Sequence, residues 1–440
     1  MSESAGSAAE RLGRVAAKLE GLRARSRPDV RISQRYVLKP ALAEDAVIAF
    51  EERHGVRLPE EYRAFVTTLG NGGAGPYRGL EPLDPDRHHV SLMEGFPFHP
   101  EEFVGPAWTR GHGPDALSCG TLWLNRQYDE EWRYHDPAEI WTLLVVSGPG
   151  RGRMVVVEKD NDFFDPIYHP ARDFIAWYED WLDREVSGGR SRLRTNDFER
   201  PGDSLGHSDV EEAVWAARTT GVLARVLQHQ RPSALQIANL GATAAPPRPA
   251  RVRAAAMWAL ATGCSQGATS AIVPALRDTD PTVRLQAVRA LRAQQDADAT
   301  VVFDAVRPLL ADVTPAVRRA AISVLTRIPD AESATVRDTL RPLLTDSDPG
   351  TRAAAFEELA HRDEWAFDTV RDLVGSPDAE IRRSALVALH NAHWLAVRED
   401  RDHAVSRAAV REIAQGRLAD TDAAVRERAV RILGNIADAE

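Results

Sequence analysis

Asp160, Asn161, Asp162 and Asp165 form an oxygen-rich run of the kind that opens a calcium loop. Such a loop needs a glycine at its sharp turn and a bidentate glutamate at its end, and neither stands at the required spacing. His88, His89, His99, His112 and His135 fall in one stretch, without an i,i+4 pair on a helix or a cysteine partner. They read as exposed loop histidines rather than a zinc site. Ser147-Gly148-Pro149-Gly150-Arg151-Gly152 is glycine-rich and follows a strand pattern. A phosphate-binding loop would continue into Lys-Ser/Thr and a helix, whereas Met154–Val157 reads as a second strand, so a hairpin turn is expected. Cys119 has neither a helix N-terminus nor a histidine in sequence to activate it and reads as a packed thiol. The expectation is no catalytic residue, no metal and no cofactor.

Binding is the chemistry that remains. Trp123 and Trp132 flank the polar stretch Asn125–Glu131, and aromatics beside carboxylates make interface anchors when half exposed. Core packing is the competing role for both rings. Acids close to the same region complete the candidate partner site: Glu81, Asp84, Asp86, Asp129, Glu130 and Glu131, with Trp123 and Trp132. Residues 36–186 hold 27 Asp/Glu against 14 Lys/Arg, a net of −13, while the rest of the chain nets +3. An acidic region repels nucleic acid and steers basic protein surfaces toward itself. The equal alternative is that the charge serves solubility.

The elements that position these residues come from a chain of 440 residues, long enough for two or three domains. Hydrophobic content of 43% and charged content of 27% are those of soluble globular protein. Two cysteines far apart allow no disulfide framework, which fits a reducing compartment. The N-terminal residues lack the apolar run of a signal peptide, and no 18-residue apolar stretch occurs, so a cytoplasmic protein with no membrane partner is expected.

Ile48–Leu83 carries two short amphipathic helical patterns. Gly55 ends the first in a position that favours positive φ, and Pro59 with Glu60 and Glu61 opens the second. Phe50, Glu51, Gly55, Leu58, Pro59, Tyr62, Phe65, Asn71, Gly72, Gly73, Gly79, Leu80, Pro82 and Leu83 resemble the opening pattern of the SUKH superfamily. Leu143–Val157 is similar to that family's central hairpin, and Asp173–Asp183 to its closing helix. Residues 95–140 depart from the pattern, being longer and more charged. The resemblance spans 36–186 and implies an α+β domain, a mixed sheet with flanking helices. It also implies a non-enzymatic role as a bacterial immunity protein that binds a basic toxin domain and occludes it.

From Arg251 onward one phrase recurs: a turn with Asp or Pro, then Val-Arg, Ala, and a closing Leu. Marker arginines Arg253, Arg284, Arg318, Arg352, Arg382 and Arg426 are spaced by 31, 34, 34, 30 and 44 residues. Self-similarity at this period means stacked helix pairs. The pattern resembles HEAT repeats, and implies an all-α solenoid with a second protein-interaction surface. Each marker arginine stands beside a turn aspartate, so a ladder of Asp–Arg pairs is expected along the stack. The expected organisation is a helical extension at 1–35, the SUKH-like domain at 36–186, a linker at 187–207 and the solenoid at 208–440, with Ser208–Leu240 as a degenerate first repeat or cap. A scaffold or adaptor acting through the solenoid, without a toxin, is the alternative function.

Overall fold

The computed structural model describes residues 7–25, 36–76, 79–84, 92–102, 119–127, 140–158, 166–187, 205–226, 234–325, 333–362, 371–398 and 407–437. The chain divides into two compact units, Met1–Arg231 and Pro232–Glu440.

In the first unit, helices α1 (Ala8–Arg25), α2 (Glu44–His54) and α3 (Glu60–Thr68) precede strands β1 (Thr121–Gln127), β2 (Ile140–Val145), β3 (Met154–Glu158) and β4 (Ile167–Tyr168). Helices α4 (Phe174–Ser187) and α5 (Val210–Val226) follow. The strands form one sheet in the order β1-β2-β3-β4, and every pairing is antiparallel. The expected mixed sheet is therefore corrected among the described residues. Neighbouring strands follow each other in the chain, and the Ser147–Gly152 turn joins β2 to β3 as a hairpin, which forces antiparallel pairing.

Alternation along the strands gives the sheet two apolar faces. Leu122, Leu124, Leu144 and Met154 enter a core shared with α1 to α4, while Trp123, Trp141, Leu143, Val145, Val155 and Val157 pack with Phe96 and Phe98. Helix α4 closes the first core. Phe174 meets Tyr62 at 4.9 Å and Phe65 at 5.0 Å edge-on, and Trp177 and Trp181 are both buried. The N-terminal pattern Leu12, Val15, Leu19, Leu22 is buried in that core, and α1 is pinned to α4 by Arg11–Asp173 at 2.5 Å and Lys18–Glu179 at 2.9 Å.

The Asn-Gly-Gly stretch is a backbone clamp. The buried Asn71 amide donates to Leu83 O at 2.9 Å and accepts from Leu83 N–H at 2.8 Å. Gly73 has φ of 102°, and a Cβ there would lie 2.6 Å from Val37 O, so no other residue fits. Gly55 caps α2 in the left-handed region at φ 62°, while Pro59 sits one residue before α3, as its N-cap. Helix α5, within the segment read as a first repeat, belongs to the first unit. Arg218 donates to Pro166 O at 3.1 Å, and Trp215 packs on His169 at 4.9 Å, so its apolar face is spent on the β4 edge.

The second unit is helical throughout its described residues. Its second helices, Ala250–Gly263, Pro281–Ala293, Pro315–Leu325, Pro349–Arg362, Ala379–Arg398 and Ala423–Ala437, pack each on the next. The first helices are short, and three of them tighten into 3₁₀ turns, at Val273–Arg277, Arg307–Ala311 and Arg341–Thr345, before the inter-helix turn. Pro281, Pro315 and Pro349 each open a second helix, where the missing N–H loses no bond. Ala256, Ala287, Ala321, Ala355, Ala385 and Ala429, three residues after each marker arginine, are fully buried, and their small side chains let consecutive helices approach. Leu325 is likewise fully buried, so Leu325→Asp is expected to lower stability by more than about 3 kcal/mol. An unchanged thermal unfolding midpoint would refute that repeat phase.

Candidate protein-interaction surfaces

A frame of buried charge organises the array. The Nε and Nη2 of Arg284 donate to both Asp312 oxygens at 2.7 and 2.8 Å. Arg253 holds Asp278 with both donors at 2.8 and 2.7 Å, and Arg382 holds Asp420 at 2.9 and 2.7 Å. Arg318 reaches Asp346 at 2.5 Å. In each case the arginine of one unit grips the turn aspartate of the next. Its Nη1 turns back to carbonyls of its own turn, as Arg284 does to Asp278 O at 2.9 Å and Arg318 to Asp312 O at 2.8 Å. The same aspartates hold their turns, accepting the amide two residues on at 2.8 to 3.0 Å. The second acid of the turn then caps the following helix, as Asp280 does by accepting from the Thr282 and Val283 amides.

These side chains are almost out of water: Arg382 and Asp420 expose 9% and 3%. The Arg382 hydrogen bond, with the Asp422 amide second, holds the Asp420 carboxyl down at about 2. Burial pushes Asp278 and Asp312 the other way, but the hydrogen bonds from Arg253 and Arg284 outweigh it and keep both below the usual range. The ladder is thus a structural device.

What varies on this constant frame is the position after the marker arginine from Arg284 onward, whereas Ala254, after Arg253, is fully buried. Leu285, Arg319, Ala353, Arg383 and Glu427 are all partly or fully exposed, whereas the Ala two positions further on stays buried. Four residues later the surface again changes, through Arg289, Ser323, Val387 and Arg431. The second helices therefore present a surface of mixed, unit-specific chemistry.

In the first unit, Glu81 N–H donates to Leu124 O at 2.8 Å, which brings Glu81 to the outer edge of β1 beside the Trp123 strand. Glu81 is half-buried and Asp84 exposed. Trp123 is half-buried, its ring 4.1 Å from that of Trp141. Asp86, Asp129, Glu130, Glu131 and Trp132 lie outside the described residues, as do Asp160, Asn161, Asp162 and Asp165 and every histidine of the cluster except His99. The Ser147–Gly152 segment is the hairpin turn expected. Ser147 Oγ donates to Leu92 O at 2.6 Å, and Gly150 lies so close to Tyr168 that a Cβ would meet its hydroxyl at 2.2 Å. Cys119 is half-buried with its Sγ 3.4 Å from Glu94 Oε2, and burial pushes the Cys264 thiol up to about 11, which keeps it protonated and unreactive. Among the described residues no group of three or more His, Cys, Asp or Glu gathers as metal ligands would, and no helix is long and apolar enough to cross a membrane.

A family model described as HEAT repeats matches residues 239–304 and 303–390. The C-terminal region carries HEAT repeats. None of the curated proteins matches the chain. Among solved structures, an engineered protein is 24% identical with a TM-score of 0.27, over 55% of this chain and 97% of that one. The complex of CpcE and CpcF of phycocyanin lyase from a Nostoc species is 17% identical, TM-score 0.33, over 56% of this chain and 96% of that chain. The Mot1 N-terminal domain in complex with TBP is 14% identical, TM-score 0.36, over 58% of this chain and 38% of that chain. At these scores the likenesses add nothing to what the repeats themselves establish.

Two outcomes test the ladder. Asp312→Ala strands the Arg284 guanidinium in a buried site and is expected to cost about 3 kcal/mol, measured by denaturant unfolding. Replacing the pair with Arg284→Met and Asp312→Leu together should cost less than that single change. Because a depressed carboxyl stabilises above its unfolded range and loses this as pH falls, the advantage of wild type over Asp420→Asn should fade from about pH 4 down to about pH 2. A gap that persists unchanged at the acid end would contradict the assignment.

Proposed function

We propose that this chain is a non-enzymatic protein-binding scaffold that engages its partner through the exposed faces of the second helices. The observation that carries the reading is the contrast between constant and variable positions. Ladder arginines, buried alanines and closing leucines repeat from unit to unit, while Leu285, Arg319, Ala353, Arg383 and Glu427 differ. A solenoid gains nothing in stability from such variation, and stacked repeats create extended surfaces suited to binding a protein. HEAT repeats by themselves say only that the architecture suits this use.

A second reading places the main contact on the first unit, as a toxin-immunity protein. It is supported by the net charge of −13 across 36–186 and by the SUKH-like residues, among which Phe50, Leu58, Tyr62 and Phe65 are buried and Asn71 and Gly73 form the backbone clamp. Its partner would be basic, and its anchors would be Trp123 and Trp132 with Glu81, Asp84, Asp86, Asp129, Glu130 and Glu131. A cytoplasmic site of action suits either reading.

Affinity capture from native cells with the full chain separates them. The variant Leu285→Glu, Arg383→Glu, Val387→Glu changes partly exposed positions and should leave stability within about 1 kcal/mol. It is expected to lose the captured partner, while neutralising Asp129, Glu130 and Glu131 leaves capture intact. The reverse result, with association slowing as salt rises, would transfer the function to the acidic unit.

A further inference from the structure

Helix α1 lies on α4 as an amphipathic ligand lies in a groove. Arg11 pairs with Asp173, Arg14 and Lys18 with Glu179, and Lys18 again with Asp183, so the pairs climb together and the two helices run parallel. Leu12, Val15, Leu19 and Leu22 form one buried stripe, while Ala9, Gly13, Ala17, Glu20 and Ala24 on the far side are exposed. Charge is complementary across the seam. Helix α1 carries five Lys/Arg against two Glu, and α4 carries four Asp/Glu against one Arg. Contacts that seat α4 on the rest of the core do not pass through α1. Phe174 and Tyr178 meet Phe65 at 5.0 and 4.8 Å, and the Tyr178 hydroxyl donates to Ala74 O at 2.8 Å.

Two residues weaken α1 itself. Gly13 and Gly21 stand inside the helix, where a Cβ at either would meet nothing within 4 Å, and neither has positive φ. Packing therefore gives no reason for glycine, yet each makes the helix about fivefold less favourable than alanine would. The ion pairs are a light latch as well. The Arg14 side chain is 50% exposed and that of Asp183 58%, within reach of water and salt.

We propose that the α4 groove is a docking site for a basic amphipathic helix of a second protein, and that α1 is a weakened stand-in which that helix displaces. Asp173, Glu179 and Asp183 set the recognition chemistry. They ask for cations spaced as Arg11, Arg14 and Lys18, beside an apolar stripe at i, i+3, i+7 and i+10, on a helix running parallel to α4. A partner helix free of interior glycine is easier to hold in helical form, which offsets the advantage α1 has from being tethered. Until the partner arrives, α1 keeps the acids of α4 paired and its own stripe out of water. This surface uses neither the second-helix faces nor the Trp123 edge, so its test is independent of both functional readings above.

The experiment measures binding of fluorescein-labelled synthetic peptides to the full chain by anisotropy. The probe spans residues 7–25, which keeps the Ser7–Glu10 capping box, and carries Gly13→Ala and Gly21→Ala. It is expected to bind about tenfold more tightly than the peptide of native sequence, and to lose binding when Arg11→Glu, Arg14→Glu and Lys18→Glu are added. In the chain, Arg14→Glu with Lys18→Glu loosens α1 and should raise probe affinity about tenfold, whereas Gly13→Ala with Gly21→Ala should lower it by about as much. The glycine variant strengthens the helix, so the comparison stands even where the charge variant fails to fold. No binding by any chain, equal affinity across the three, or binding of the charge-reversed peptide overturns the proposal. A photo-crosslinking amino acid in place of Asp183, used in native cells, then reads the occupant. A crosslinked segment of another protein with the basic and apolar spacing of α1 supports the proposal. Crosslinks only to α1, from the same chain or from a second copy, overturn it.

Discussion

A guanidinium taken out of water has to find acceptors on every side, and the second unit is arranged around that demand. Arg253, Arg284, Arg318 and Arg382 each satisfy it from two directions, with carbonyls of their own turns and a carboxylate of the next unit. Breaking one side leaves a buried charge, which costs far more than the intact pair contributes over an apolar substitute. The ladder therefore specifies register more than it adds stability. It fixes which turn faces which arginine, and so sets the spacing at which the buried alanines and leucines meet.

The first unit solves a different problem. Its sheet is small, its last strand has two residues, and both faces need covering. One face is closed by α4 and α1, locked by Arg11–Asp173 and the Lys18–Glu179 pair. The loop that returns the chain past the sheet is held by the Asn71 amide and by Tyr178, whose hydroxyl donates to Ala74 O at 2.8 Å. The motif residues Phe50, Leu58, Tyr62, Phe65, Asn71 and Gly73 are thus spent on packing and clamping.

Much of this was legible in residue order. Gly55 as a left-handed cap, the Ser147–Gly152 hairpin, the helix after Asp173 and the proline starts of the second helices follow from local rules about φ, donors and caps. The pairing of marker arginines with turn aspartates was legible as well, because the phrase repeats. The candidate site was less so. Trp123 proved to pack beside Trp141, a contact across two strands that spacing along one strand cannot announce. The variable positions after the marker arginines from Arg284 onward emerge once burial separates them from the alanines two residues on.

By itself the sequence determined the repeat period, the turn chemistry and the acidic balance of residues 36–186, all of which are local or compositional. Tertiary structure decided the rest. It made the sheet antiparallel, buried α1 against α4, and assigned α5 to the first unit, since Trp215 and Arg218 find their partners on β4 and at Pro166. It also decided that Arg253, Arg284, Arg318 and Arg382 look forward to the next unit's aspartate rather than their own. That choice depends on the distance between stacked turns, a quantity set by how closely two helices pack and written nowhere in a single repeat.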